Sequence, residues 1–226
     1  MSAGDPHGGR RVVLAGAPLT GAKCAVVMFH GRGGSPEDMV GMAGHLAVAD
    51  VAFLAPEAAG QSWWPQSFLA PLSANEPGIS SALGAVAAVA ARLAGEGFGP
   101  ERTVFLGFSQ GACLALEFAA RNAAPFAGLV ALSGALVGTA DEEGPPEDAL
   151  YGHRPKRLNY PGRLDDVPVF LGCHQRDPHI PIARVRASSD ALKGMGATVT
   201  THIHPGAGHG ITADEIAFVR SLLGAV

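Results

Sequence analysis

From Val12 onward the chain alternates short, continuously apolar runs with longer amphipathic ones, and this rhythm constrains the fold more than any other feature. Residues 12–15, 25–29, 51–54, 103–108, 128–132, 167–172 and 198–202 have the length and apolar continuity of strands. Residues 36–48, 80–95, 110–122, 181–195 and 212–223 read as helices between them. A strand that is apolar at every position is buried on both faces. A helix between successive strands returns the chain to the same sheet edge. Together these predict an α/β fold whose central sheet is mostly parallel, with helices on both faces. The 226 residues suffice for one substantial core and not for two. One domain is expected over residues 11–226, preceded by a disordered tail at 1–10, where Gly, Pro and polar residues dominate.

Two stretches interrupt the rhythm, residues 55–78 and 138–166, both rich in Pro, Gly, Asn and acidic residues that favour turns. Loops of this length in a compact domain are commonly functional. The rest of the composition mainly excludes. A formal net charge of −4 offers no bulk attraction to a phosphate backbone, so nucleic acid is not an expected partner. Three cysteines, two of them in strongly apolar segments, do not make a disulfide framework. No stretch reaches the roughly 18 uninterrupted apolar residues of a membrane span, and no apolar segment follows the basic N-terminus. The expectation is a cytoplasmic protein without stable membrane insertion, monomeric or a homodimer.

Gly107-Phe108-Ser109-Gln110-Gly111 fits the pattern G-x-S-x-G. In a chain with 31 glycines the bare pattern is weak evidence. Its setting is stronger, because it directly follows the apolar run 103–106 and opens the helix 110–122. Such a strand-turn-helix elbow holds a serine in strained backbone angles and lifts its Oγ off the sheet edge. Small residues on either side let strand and helix approach. The bland alternative is a glycine-rich turn.

A serine hydroxyl is a poor nucleophile near neutral pH unless a base takes its proton, and the base needs a carboxylate to fix its tautomer. In a parallel sheet both belong in loops at strand carboxyl ends. Asp177 follows the strand at 167–172, in a polar turn that ends at Pro178. Asp165 and Asp166 precede that strand and Asp190 falls on a helix surface. Of nine histidines, His209 sits in a glycine-rich loop between the last strand and the last helix, where its side chain can reach Ser109. His202 and His204 read as pleat residues, and His174 and His179 as neighbours of the acid. His30-Gly31-Arg32-Gly33-Gly34, after the strand at 25–29, has the form of a turn that supplies an oxyanion-hole amide. The donors are then the backbone N–H groups of Arg32 and Gln110. The competing phosphate-cradle reading lacks its G-K-[ST], and no H-E-x-x-H or paired C-x-x-C suggests a metal, so neither metal nor cofactor is expected. Trp63, Trp64, Phe68 and Leu69 would make an apolar wall for an acyl or aryl group; the alternative for them is plain anchoring of a long loop.

With Ser109, Asp177 and His209 in that chain order, and with His30-Gly31, Asp177-Pro178 and Gly208-His209 beside them, the chain from about Val12 to Val226 resembles the phospholipase/carboxylesterase family of α/β-hydrolases. That family includes acyl-protein thioesterase-like and dienelactone hydrolase-like enzymes. The resemblance implies a small, lidless, cofactor-free hydrolase of carboxylic esters or thioesters. Ser109 disfavours the dienelactone branch, where the nucleophile is cysteine. Arg32, together with Trp63-Trp64-Pro65 and Asn75-Glu76-Pro77, is more similar to the bacterial esterase branch than to eukaryotic thioesterases, which carry an aliphatic residue at the position of Arg32. Residues 138–166 are longer than in compact relatives, and Cys173-His174-Gln175-Arg176 departs from the His-Gly turn often found there. The expected function is a serine carboxylesterase acting on small to medium esters through an acyl-enzyme on Ser109. A thioesterase or lysophospholipase with the same triad is the alternative within this class. A non-catalytic ligand-binding scaffold is the alternative outside it.

Overall fold

The computed structural model describes residues 4–145 and 152–226. In chain order the strands are β1 (Val12–Gly16), β2 (Cys24–Phe29), β3 (Val51–Pro56), β4 (Thr103–Phe108), β5 (Gly128–Leu132), the short pair β6 (Ala140–Asp141) and β7 (Lys156–Arg157), β8 (Pro168–Arg176) and β9 (Thr198–Ala207). The helices are α1 (Pro36–Leu46), α2 (Gly78–Gly95), α3 (Gln110–Arg121), α4 (Ile182–Gly194) and α5 (Ala213–Ala225). Seven strands form one sheet in the order β1-β3-β2-β4-β5-β8-β9. Its edge strand β1 is antiparallel to β3 and the other pairings are parallel. The carboxyl ends of β2, β4, β8 and β9 therefore open on the same side.

The continuous apolar strands are buried on both faces for the reason their sequences suggest. Side chains alternate across a strand, so Ala25, Val27 and Phe29 of β2 join one core layer and Cys24, Val26 and Met28 join the other. The first layer is closed by α2, α3 and α4 through residues such as Val86, Leu114 and Leu192. The second is closed by α1 and α5 through Met39, Leu46, Val219 and Leu223. Each large side chain removed from water contributes about 1.5–3 kcal/mol before entropy is counted. Helix α2 is long and apolar enough to cross a membrane by length and composition alone. Here Ile79, Val86, Val89 and Leu93 form its buried face in the first layer, and the rest of that face is small residues.

Three expectations need correction. Residues 4–10 are not a loose tail: His7 is only 3% exposed, its N–H bonds Ser81 Oγ, and its ring lies 2.8 Å from the Trp63 carbonyl and 3.0 Å from the Ala59 amide. A carbonyl accepts and an amide donates, so the imidazole is neutral with its proton on Nε2. One buried anchor outweighs a polar, glycine-rich composition. Strands β8 and β9 run past their expected ends at 172 and 202, because His174 pairs with His204 and Arg176 with Ala207 across an irregularity. Those positions are polar because β5 ends before them and leaves them flanked on one side. Helix α1 stops at Leu46 and not at 48, because Ala47 takes a left-handed conformation with φ 48°.

Candidate active site

Ser109 stands between the last residue of β4 and the first of α3, with φ 54° and ψ −120°. A non-glycine residue there is strained, and the surrounding bonds impose the conformation. The Ser109 amide donates to the Leu132 carbonyl at 2.9 Å, and its own carbonyl accepts from the Cys113 amide at 3.1 Å. The flanking glycines are required by space. A Cβ on Gly107 would stand 2.2 Å from the Gly111 carbonyl oxygen, and one on Gly111 would stand 2.1 Å from that of Phe29. Strand β4, helix α3 and strand β2 thus meet backbone to backbone, and the serine side chain has one way out, toward the carboxyl ends of the strands.

His209 Nε2 lies 2.8 Å from Ser109 Oγ, and His209 Nδ1 lies 2.8 Å from Asp177 Oδ2. The carboxylate can only accept, so Nδ1 carries the proton and Nε2 is free to take one from the hydroxyl. Asp177 Oδ1 accepts from the His179 amide at 2.8 Å and the Ile180 amide at 3.0 Å, which pins the acid in its turn. Burial on its own raises the Asp177 carboxyl. The hydrogen bonds from His209 and from the two amides outweigh it, and the group sits below the ordinary carboxylate range. The Phe108 and His179 rings pack on His209 at centroid distances of 5.1 and 4.8 Å, and a T-shaped contact is the geometry with His179. The imidazole is therefore held by two hydrogen bonds and two ring contacts.

The His30–Gly34 turn approaches this serine closely. A Cβ on Gly31 would lie 3.2 Å from Ser109 Cβ and 3.1 Å from the Phe108 ring. His30 is buried, with Nδ1 donating to the Gly31 carbonyl at 2.8 Å and Nε2 accepting from the Ala58 amide at 3.1 Å. Burial lowers its pKa and keeps it neutral in that role. Gly33 and Gly34 spend their amides on Gln61 and Gly31 carbonyls. Among the described residues the backbone N–H groups of Arg32 and Gln110 make no hydrogen bond, which leaves both available to an incoming oxygen.

A cavity of about 630 Å³ opens over Ser109 and His209. Trp64, Pro65, Gln66 and Phe68 of the segment after β3 and Pro178, His179 and Ile180 of the turn after β8 line it. Of the four wall candidates, Trp64 and Phe68 line this cavity; Trp63 and Leu69 do not. Trp63 is fully buried, edge-on to Phe29, with its indole N–H on the His30 carbonyl at 2.9 Å. Leu69 is buried in the first core layer. Adjacent residues in an irregular loop face opposite ways, and composition alone gives no sign which one faces the ligand. The loop is fastened by a contact the motif does not advertise: Gln110 Oε1 accepts from the Trp63 amide at 2.9 Å and Nε2 donates to the Trp64 carbonyl at 2.8 Å. Gln110 therefore bears on the site through its side chain as well as its amide. Cys113 and His153 also line the cavity and were not singled out from sequence. Burial pushes the Cys113 thiol up to about 12, so it is an inert wall and not a second nucleophile. Among the described residues no group of three or more His, Cys, Asp or Glu side chains is arranged to hold a metal ion.

Comparison with known proteins bears on the same architecture. A family model described as phospholipase/carboxylesterase matches residues 15–226. The chain is similar to a crystal structure of a phospholipase/carboxylesterase from Dyadobacter fermentans at 38% identity and TM-score 0.84, covering 95% of this chain and 96% of that one. It shares its fold with the esterase PE8 at 24% identity and TM-score 0.70, over 95% and 97% of the two chains. Acyl-protein thioesterase 1 of Gibberella zeae is 31% identical over 129 residues, 56% of this chain. That match spans about half the length of the curated relative, 49%.

Proposed function

The chain belongs to the phospholipase/carboxylesterase family of α/β-hydrolases, and from that premise we propose that it is a serine carboxylesterase with Ser109 as nucleophile, His209 as general base and acid, and Asp177 as the residue that orients His209. The observation that carries this reading is the unbroken relay from Ser109 Oγ through His209 to Asp177, both links 2.8 Å, at an elbow whose backbone is strained. In the proposed reaction His209 Nε2 takes the hydroxyl proton as Ser109 Oγ attacks the ester carbonyl. The oxyanion is met by the Arg32 and Gln110 amides, each contributing about 2.7–4 kcal/mol of transition-state stabilisation. Collapse expels the alcohol, which takes its proton from His209, and leaves an acyl-enzyme. Water then attacks with the same base, and the acid is released.

The same machinery cleaves a thioester, and the kinship with acyl-protein thioesterase 1 supports thioesters as a second substrate class. Trp64 and Phe68 offer an apolar side of the cavity to the acyl or aryl group. All three cysteines are unpaired and buried, which supports a reducing compartment such as the cytoplasm. The test is hydrolysis of p-nitrophenyl esters from acetate to palmitate by wild type and Ser109→Ala. Turnover should depend on chain length and drop by a factor on the order of 10³ or more in the variant. A folded Ser109→Ala that keeps wild-type turnover contradicts the assignment.

A further inference from the structure

We propose that the Arg32 side chain selects esters carrying a carboxylate a few bonds from the scissile carbonyl. This inference deepens the serine-esterase reading and rests on it. Arg32 lines the cavity over Ser109. Its guanidinium donates to the Pro65 carbonyl at 2.7 Å and the Gln66 carbonyl at 2.6 Å, so it is held against the cavity wall. Two of five N–H donors are used in this way and three remain. Neither partner is an acid: among the described residues no carboxylate lies within ion-pair distance of Arg32. Arg102 and Arg220 also brace backbone carbonyls without a carboxylate, but of the three only Arg32 lines this cavity.

The cavity gives no compensation either, since among the described residues its lining includes no Asp or Glu. Arg32 is exposed at the cavity, and partial desolvation of its guanidinium still lowers its pKa. Bracing two carbonyls requires a donor and not a positive charge. The charge has a use if the anion arrives with the substrate. The placement sets the spacing. The Arg32 amide is the proposed oxyanion donor, so its side chain starts beside the carbonyl under attack and ends on the wall formed by Pro65 and Gln66. A chain with a net charge of −4 gives anions no general attraction, so selection of this kind is local to the cavity.

The experiment compares mono-4-nitrophenyl adipate with 4-nitrophenyl hexanoate, which have equal acyl length and differ in a terminal carboxylate. 4-Acetoxybenzoate and phenyl acetate place the same charge on the alcohol side. Wild type, Arg32→Gln and Arg32→Lys are read as the ratio of kcat/KM for the charged over the neutral ester. In at least one of the two pairs the ratio should fall about tenfold in Arg32→Gln, mainly through KM, with Arg32→Lys in between. Rising ionic strength should erode the wild-type ratio and leave that of Arg32→Gln in place. Equal ratios in wild type and Arg32→Gln for both pairs overturn the proposal and reduce Arg32 to a brace. If Arg32→Gln does not fold, a wild-type ratio that is indifferent to salt overturns it instead. Loss of the serine-esterase reading has a different signature, since folded Ser109→Ala would then hydrolyse all four esters as fast as wild type.

Discussion

Residues 57–77 and 138–166 are the two long departures from the alternating pattern, and the molecule fastens them in different ways. The first is tied mainly by neutral groups, with charged side chains joining it at Pro65, Gln66, Ala70 and Leu72. His7 and His30 accept the Ala59 and Ala58 amides, Gln110 clamps Trp63 and Trp64, and buried Asn75 joins the Gln66 amide to the Ser67 carbonyl. The second is anchored at its roots by buried charge. Glu117, 1% exposed, accepts from the Val137 and Gly138 amides, the Tyr160 hydroxyl and Arg121, and Lys156 bonds the Ala70 carbonyl and Asp141. The first segment supplies a cavity wall from Trp64 to Phe68, whereas the second contributes His153 among the described residues. Bonds spread over many positions fix the first segment as a surface, while one buried carboxylate gathers the second at Val137, Gly138 and Tyr160.

The largest effect expected from this contrast is on stability. Glu117→Ala leaves two amides, a phenol and an arginine without their acceptor, and should cost about 3–5 kcal/mol, read as a lower denaturant midpoint. A loss below about 1 kcal/mol would mean that the second segment is not held by this hub. Gln110→Ala keeps the backbone amide and removes the clamp. It should lower kcat/KM for palmitate about tenfold more than for acetate, because the wall and not the reacting centre is disturbed. Equal losses on the two esters would detach the wall from acyl binding.

The smallest effect separates the segments by pH. Burial holds His7 and His30 below the ordinary histidine pKa of about 6.5, and both accept from the first segment only when neutral. Their contribution is complete above the unfolded value and declines as pH falls through it, until the lower folded values are reached. After correction for intrinsic rates, the Ala58 and Ala59 amides should lose hydrogen-exchange protection below about pH 6.5 while those of Val137 and Gly138 keep theirs. Parallel loss in both segments would remove the distinction.

Much of the scaffold was legible in the sequence because continuous apolar strands leave little choice of fold: β4 and β5 begin and end where their apolar runs do. The candidate site was legible for a related reason, since the elbow glycines and the loop positions of Asp177 and His209 follow from where strands end. What stayed hidden depends on side chains meeting across the chain. Gln110 as a clamp, His7 as an anchor and the opposed directions of Trp63 and Trp64 follow from tertiary contacts that no periodicity encodes. The polar ends of β8 and β9 read as turns because each supplies the other's pairing, a non-local fact.

The central claim is that Ser109 is an activated nucleophile within a complete relay. Intact-mass and peptide-level measurement of fluorophosphonate labelling, run alongside p-nitrophenyl ester turnover, tests it directly. The account predicts one covalent adduct per chain, on Ser109, formed in step with loss of activity and much slowed in His209→Ala. An unlabelled Ser109, or full labelling at another residue while Ser109 stays free, would contradict it.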